Sequence, residues 1–126
     1  MILIVDASAA YDLLTEGRSE YRISGAQELL SVDLIVLELL NARWKVERSR
    51  EAVPSVKTIL GFLDRLGIIP SMRLAADAAA LAERLNHPVY DCLYVAAAQH
   101  SRAQLLTLDG RLSRKLRSAG LSRLLR

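Results

Sequence analysis

Short apolar runs alternate along this chain with longer stretches in which apolar residues recur at helical spacing. The run Ile2–Val5 is continuous and has the length of a buried strand. A second run of this kind covers residues 105–108. Shorter runs predict further strands at residues 34–36, 68–70 and 121–125, the last at an edge of the sheet. The pattern therefore predicts short strands separated by helices.

The stretches between the strands favour helices, because only three prolines and six glycines interrupt the chain. The segment Asn86-His87-Pro88 breaks one helical pattern before the next begins, and Ser71 is a suitable N-cap residue. Pro54 is compatible with a helix only in its first turn. Alternating strands and helices with short connections predict an α/β fold around a parallel sheet. The predicted helices cover residues 8–14, 20–30, 37–48, 49–65, 71–85, 90–100 and 111–118.

Composition is that of a compact domain in a reducing environment. The chain has 126 residues, 52% of them hydrophobic, which predicts a single domain spanning residues 1–126. No stretch approaches the roughly 20 apolar residues of a membrane span, and the first residues lack the basic segment of a signal peptide. The single cysteine, Cys92, excludes an internal disulfide framework. We therefore expect a cytoplasmic protein.

Positive charge is concentrated in two parts of the chain. The net charge is +3 and the isoelectric point is about 9.4. Basic residues beside acidic centres fit a polyanion brought to a metal site, although charged side chains are also the ordinary outer face of a helix. The basic residues of the two groups are Arg43, Lys45, Arg48 and Arg50, and then Arg102, Arg111, Arg114, Lys115, Arg117, Arg123 and Arg126.

Four acidic residues stand where a carboxylate is locally unexpected. Asp6 and Asp109 each end an apolar strand run. Glu38 interrupts an apolar run, and Asp91 precedes another. In parallel sheets, ligands bind beyond the carboxyl ends of the strands, near the point where the strand order reverses. Taken singly, each acid also has an ordinary explanation as a helix cap, a first-turn residue or part of a polar helix face.

Taken together, the four acids indicate a site for a divalent cation. If they gather about 5 Å apart, each like-charged pair costs about 3 kcal/mol at an effective dielectric of about 20, unless protonation or a cation relieves it. Oxygen ligands select Mg²⁺ or Mn²⁺ rather than zinc. Polar residues that accompany the acids at short sequence distances are Ser8, Asn41, Tyr94 and Thr107.

The remaining candidates for chemistry are weaker. His87 and His100 are not at a spacing typical of a pair of metal ligands. Cys92 lies in an apolar helix and is expected to be a small core residue rather than a nucleophile. Trp44 is expected to pack against the sheet, with base stacking as the alternative.

The acids occur in segments that resemble PIN-domain proteins, specifically the small VapC-type ribonuclease toxins. The segments follow the order of that family and run from one end of the chain to the other. Each is a weak pattern by itself, and the four together are specific. The matching segments are ILIVDASA (residues 2–9), ELLNA (38–42), YDCLYVA (90–96) and LTLDGRL (106–112).

The resemblance implies a three-layer α/β/α sandwich with a short, mainly parallel central sheet. It also implies an endoribonuclease that depends on Mg²⁺ or Mn²⁺ and hydrolyses RNA with metal-activated water, leaving 5′ phosphate and 3′ hydroxyl ends. Members of the family usually form homodimers. They are inhibited by a cognate VapB-like antitoxin that binds across the active-site groove.

We expect all four acids to be catalytic and to hold the metal. Asp6 and Asp91 are the expected direct ligands, while Glu38 and Asp109 complete the site directly or through water. Residues expected to orient ligands or water are Ser8, Asn41 and Thr107, and those expected to hold RNA phosphates are Arg43, Arg111, Arg114 and Lys115.

Two other functional classes stay open on the sequence. A phosphoacceptor domain of the receiver or haloacid-dehalogenase type also places aspartates after strands, although the dehalogenase pattern requires an aspartate where this chain has Ser8. A non-catalytic RNA-binding module would retain the acids only for metal-dependent stability. Incubation with acetyl phosphate tests the first class, and RNA binding without cleavage would indicate the second.

Overall fold

The computed structural model describes residues 1–48 and 53–126, and a parallel sheet lies at its centre. The strands within these residues are β1 (Ile2–Val5), β2 (Glu28–Val32), β3 (Gly67–Ile69) and β4 (Gln104–Leu106). They lie in the order β3-β2-β1-β4, and every pairing is parallel. β1 is therefore an inner strand, with Leu3 opposite Leu29 on one side and Gln104 on the other.

Helices cover both faces of this sheet. They are α1 (Ala7–Leu14), α2 (Glu20–Ile23), α3 (Leu34–Arg48), α4 (Val56–Leu63), α5 (Ser71–Leu85), α6 (Val89–Ser101) and α7 (Gly110–Ser118). The chain crosses the sheet in one direction from β1 to β3 and returns in the other to reach β4. Because such crossovers are right-handed, the helices of the two directions lie on opposite faces. α6 packs on β1, β2 and β4 with α5 outside it, and α1 packs on α3. The predicted α/β/α sandwich is confirmed.

The core lies between the sheet and its two helical layers. Ile4 and Val5 of β1 have no exposed surface, and neither has Leu39 of α3. On the other face, the alanines at 96–98 of α6 are buried, and their small side chains let the helix lie close to the strands. Burial of Cys92 in this layer confirms that it is a core residue and raises the pKa of its thiol to about 11. At that pKa the thiol stays protonated near neutral pH and is a poor nucleophile.

The prediction for residues 20–36 is wrong. The helix predicted over residues 20–30 ends at Ile23, Gly25 turns the chain at φ 82°, and Glu28–Val32 forms β2. β2 has only one β-branched residue, so local propensity favours a helix, and pairing with strands on both sides overrides it. Residues 34–36, predicted as a strand, begin α3. An apolar run of that length fits a buried helix face as well as a strand.

Three smaller predictions are corrected. Ser71 is the first residue of α5 rather than its N-cap, and its backbone N–H donates to Asp33 Oδ2 at 3.1 Å. Trp44 is 50% exposed on α3 instead of lying against the sheet. The predicted edge strand at residues 121–125 is a 3₁₀ turn over Ser122–Leu124, followed by one parallel bridge to β4.

The other predicted elements agree with the structure to within a few residues, except the helix predicted over residues 49–65, of which the structure describes only Val56–Leu63 as helical. The helix predicted over residues 49–65 is represented by α4, which Ser55 caps by accepting a hydrogen bond from Thr58 N at 3.0 Å. Residues 49–52, including Arg50, lie outside the described residues. Among the helices that are described, none is long and apolar enough to cross a membrane.

The core predicts a matched pair of substitutions on one helix. Leu39 has no exposed surface, whereas Leu37, two residues earlier on α3, is 68% exposed. Leu39→Ala should lower the free energy of unfolding by about 2–5 kcal/mol, because it removes buried apolar surface and leaves a cavity. Leu37→Ala should change it by no more than about 0.5 kcal/mol. Urea denaturation of both variants measures the difference, and equal losses would contradict the assigned orientation of α3.

Candidate metal centre

The candidate site lies where the strand order reverses, between β1 and β4. Asp6 directly follows β1, and its backbone N–H donates to Leu106 O of β4 at 3.3 Å. Thr107 directly follows β4. The first strand-to-helix turn and the last one therefore meet at this edge of the sheet, which is where α/β folds bind ligands.

Asp6 is nearly buried and firmly held. Its Oδ1 accepts hydrogen bonds from Ser8 Oγ at 2.6 Å and from Ala9 N at 3.0 Å, and its Oδ2 accepts one from Thr107 Oγ1. Its exposed fraction is 5%. Burial raises the pKa of Asp6 above its ordinary value, even though the three hydrogen bonds act to lower it. The negative charge of Asp91 raises it further.

The hydroxyl groups that hold Asp6 also join the two turns to each other. Ser8 Oγ accepts a hydrogen bond from Leu108 N at 2.9 Å, and Thr107 Oγ1 accepts one from Asp109 N at 3.1 Å. Asp6 is thus fixed from both strands, which limits how far its carboxylate can move.

Glu38 reaches the site from α3 and is held by a residue of α6. Its Oε1 accepts a hydrogen bond from the hydroxyl of Tyr94. Burial raises the pKa of Glu38, and the charges of Asp91 and Asp6 raise it further. The pKa of Tyr94 is also raised by burial and by Glu38, so its hydroxyl stays a donor. Glu38, Asp6 and Asp91 therefore lie within one another's electrostatic influence.

Asp91 belongs to a second group that includes a histidine. His87 Nε2 lies 2.6 Å from Asp91 Oδ2. One ligand atom from each of His87, Asp91 and Asp109 lies within 4.8 Å of the others. Asp91 thus connects this group to the pair formed by Asp6 and Glu38.

Two of the acids are helix caps, as the ordinary explanation predicts, and the same two belong to the candidate site. Asp6 is the N-cap of α1 through its bond from Ala9 N. Asp109 is the N-cap of α7, with Oδ1 accepting from Leu112 N at 3.1 Å. Each carboxylate uses one oxygen for its helix and lies with the other acids at the edge of the sheet.

The donor set fits a hard divalent cation. The hydrogen bonds to Asp6 and Glu38 come from hydroxyl and amide groups, which carry no charge to balance the carboxylates. Burial and the charge of Asp91 raise the pKa of both acids, and a bound cation would lower it by stabilising the ionised carboxylates. Carboxylate oxygens are the ligands that Mg²⁺ and Mn²⁺ prefer.

Two clefts open beside the acids. One, of about 460 Å³, is lined by Ser8, Tyr11, Glu38, Asn41 and Lys45 together with Ala7, Ala42 and Val46. The other, of about 710 Å³, has Glu38, Asn41 and Asp91 on its polar side and Leu34, Leu37, Pro88 and Tyr90 on its apolar side. Asn41 and Glu38 line both, so the two clefts adjoin at these residues.

The predicted phosphate-binding residues are distributed unevenly. Arg111 and Arg114 are exposed on α7, next to Asp109. The Arg114 guanidinium lies over Gly110, where an added Cβ would be 3.2 Å from it. Lys115 Nζ donates to the carbonyl of Asn86. Arg43 Nε donates to Pro54 O at 3.0 Å and is not among the residues that line the cleft with Lys45.

Sequence reasoning missed His87 and gave Lys45 no individual role. His87 was set aside because no second histidine stands at a ligand spacing, but its partner is a carboxylate. His87 and Asp91 are four residues apart, but His87 lies before the first residue of α6, so helical spacing alone does not indicate the pair.

The PIN domain family matches residues 3–116 of the chain. The chain belongs to the PIN domain family. It is 38% identical over 124 residues to Ribonuclease VapC3 of Pyrobaculum aerophilum, covering 91% of this chain and 95% of that protein.

Solved structures agree with this placement. The crystal structure of PAE2754 from Pyrobaculum aerophilum superposes with a TM-score of 0.74 at 25% identity, covering 98% of each chain. A toxin–antitoxin complex from Klebsiella pneumoniae has a TM-score of 0.65 at 17% identity, covering 90% of this chain and 89% of that one. VapBC2 of Rickettsia felis, bound to a DNA fragment from its promoter, has a TM-score of 0.60 at 16% identity, covering 90% and 92%. The last two show the shared fold alone.

The raised pKa of Glu38 predicts how pH changes the stability of this PIN domain when no metal is bound. A carboxyl whose pKa is raised by folding stabilises the fold below its unfolded pKa, and that contribution is lost as pH rises through the folded pKa. In EDTA, the Tm of wild type relative to that of Glu38→Gln should therefore fall as pH rises from about 4. Glu38→Gln keeps an acceptor for Tyr94 and should have a higher Tm than wild type at pH 7.

The matched control is Glu83→Gln, at an exposed position on α5. Its thermal profile should follow wild type at every pH. A Glu38→Gln profile parallel to wild type would show that ionised Glu38 costs the fold nothing.

Proposed function

We propose that this PIN domain is a divalent-cation-dependent endoribonuclease and the toxin of a VapBC-type toxin–antitoxin pair. The observation that carries the proposal is that buried Asp6 lies at the point where strand order reverses, bonded across it to Thr107, while Glu38 and Asp91 line one cleft and Asp91 lies close to Asp109. Similarity to Ribonuclease VapC3 over most of both chains supports RNA as the substrate. Membership of the PIN domain family argues against the phosphoacceptor alternative.

Asp6 and Asp91 would hold the cation directly, and Glu38 and Asp109 would complete its surroundings directly or through water. Mg²⁺ or Mn²⁺ fits these oxygen donors. When bound, the cation supplies positive charge that activates water and stabilises the charge that develops on the phosphodiester. Cleavage in this way leaves 5′ phosphate and 3′ hydroxyl ends.

The other polar residues would keep the carboxylates ready for this task. Ser8 and Thr107 hold both oxygens of Asp6, and Tyr94 holds Glu38. Asn41 lies beside Glu38 in both clefts, where its amide can orient water or a phosphate oxygen. Preorganised ligands lose little freedom when the cation and the RNA bind.

RNA would lie across the two clefts with its phosphates against basic residues on either side of the acids. Arg111 and Arg114 flank Asp109 on α7, and Lys115 lies close to His87 through its bond to Asn86. On α3, Lys45 lines the cleft, and we propose it as a phosphate contact in addition to Arg43.

A VapB-like antitoxin would inhibit the enzyme by occupying the same clefts. The toxin itself would be a cytoplasmic homodimer. The 710 Å³ cleft combines an apolar wall with Glu38 and Asp91. A peptide that carries a basic side chain next to an apolar one matches this wall and relieves the repulsion between the acids.

Asp6→Asn tests the proposed activity. The change removes one negative charge and keeps an N-cap side chain, so the fold should persist. The rate of RNA cleavage in Mn²⁺ should fall by about a thousandfold or more, since the charge stabilisation supplied by a bound cation is worth several kcal/mol. The assay maps the ends of cleaved cellular RNA, and EDTA should abolish cleavage by the wild-type protein.

The control for this experiment is Asp77→Asn, an exposed aspartate on α5, which should cleave at the wild-type rate. A folded Asp6→Asn protein with full Mn²⁺-dependent activity would refute the assignment. RNA binding by the wild type with no cleavage in either metal would instead indicate a non-catalytic module.

The antitoxin partner is tested by co-expression. A short reading frame next to the gene should encode a protein that co-purifies with this PIN domain and suppresses its cleavage of RNA. Leu37→Glu should weaken the complex, because it adds negative charge to the apolar wall beside Glu38. An unchanged Kd for Leu37→Glu would place the antitoxin elsewhere on the surface.

A further inference from the structure

His87 is a buried side chain with a fixed backbone at the edge of the candidate metal centre. It follows Asn86, which ends α5 in the left-handed conformation at φ 48°, and it precedes Pro88 at the start of α6. Its backbone N–H donates to Ala82 O at 3.1 Å. Only 7% of the residue is exposed. The ring therefore has little freedom to change its position relative to α6.

The surroundings of the ring select one tautomer. Nε2 lies 2.6 Å from Asp91 Oδ2, and a carboxylate oxygen accepts hydrogen bonds, so Nε2 carries the proton. Nδ1 is buried and has no hydrogen-bond partner among the residues that the structure describes. A proton on Nδ1 would be an unsatisfied buried donor, which is unfavourable. The Nε2–H tautomer avoids that cost.

This tautomer decides whether His87 binds the cation itself or holds Asp91 in place by a hydrogen bond. A nitrogen that carries a proton has no lone pair for a cation, so His87 Nε2 is not a ligand in this arrangement. Its N–H instead fixes Asp91 Oδ2 and therefore the plane of the Asp91 carboxylate. Asp91 is also the acid whose charge acts on both Asp6 and Glu38. Its orientation thus affects the whole site.

We propose that His87 is a positioning residue that presents Asp91 to the divalent cation. The proposal rests on the proposed function, since it requires that Asp91 hold the metal. Groups that hydrogen-bond to metal ligands typically contribute about 10–100-fold to metal affinity, because they hold the ligand in its binding orientation. A contribution of this size separates His87 from an ordinary core residue, whose loss would lower stability and leave metal affinity unchanged.

The test measures Mn²⁺ binding to the full chain by calorimetry and by EPR, without RNA. His87→Leu removes the donor at similar size, and His87→Gln retains an N–H near the position of Nε2. His87→Leu should weaken Mn²⁺ binding by about 10–100-fold, and His87→Gln should restore most of the affinity. The matched control is His100→Leu, at an exposed histidine near the far end of α6, which should bind Mn²⁺ as wild type does.

Two further measurements identify the route of the effect. In an Asp91→Asn background, His87→Leu should cause no additional loss, because its action passes through Asp91. Pulsed EPR of Mn²⁺ bound to the wild type should show no coupling to an imidazole nitrogen. Far-UV circular dichroism and Tm establish that each variant is folded, and His87→Phe replaces His87→Leu if leucine is not tolerated.

Each contrary outcome identifies what has failed. Nitrogen coupling in the wild type would make His87 a direct ligand and overturn the positioning role. Equal Mn²⁺ affinity of the wild type and His87→Leu would overturn it as well. So would a His87→Gln variant that binds Mn²⁺ as weakly as His87→Leu. Absence of Mn²⁺ binding by the wild type would overturn the proposed function itself, and with it the role of His87.

Discussion

The burial of the Asp6 carboxylate is the constraint on which the rest of the site depends. Its hydrogen-bond partners carry no charge, and burial raises its pKa despite them. The charge of Asp91 acts in the same direction, as it does on Glu38. A group of acids in this condition is stabilised by protons, by a cation or by a basic side chain of a partner. The surrounding hydroxyl groups then fix the geometry of the acids without neutralising them.

The sheet supplies this constraint through its topology. β4 returns to pair with β1 on the side opposite β2, so the first and last strands of the chain end side by side. Ser8 and Thr107 then connect the two turns through side-chain and backbone hydrogen bonds. Ser8 and Thr107, 99 positions apart in sequence, therefore both donate hydrogen bonds to Asp6. The site is built on strand ends and helix starts rather than on long loops. A site supported in this way keeps its shape before its ligands arrive.

Much of this arrangement could be predicted from local patterns, because an acid that ends a buried strand marks the functional edge of a parallel sheet. Asp6 and Asp109 are predicted in that way, Glu38 and Asp91 are predicted from their places in apolar segments, and the resemblance to the PIN family supports the grouping of all four. β2 could not be predicted, since its leucines become a strand only by pairing with its neighbours. His87 could not be given a role for a related reason: its contact with Asp91 depends on the left-handed turn at Asn86 and on the burial around it.

The double use of Asp6 and Asp109 as helix caps and as members of the acidic group has a consequence for how the protein can change during evolution. Alanine at either position would lose both the cap and the charge, at a stability cost of about 0.5–2 kcal/mol for the cap alone. Asparagine caps a helix about as well as aspartate, so it keeps the cap while it loses the charge and replaces one accepting oxygen by an amide donor. A single-base change from an aspartate codon to an asparagine codon would thus give a protein that folds and keeps its surface for partners but has lost catalytic activity. Such a descendant would pass the quality control that removes unfolded chains.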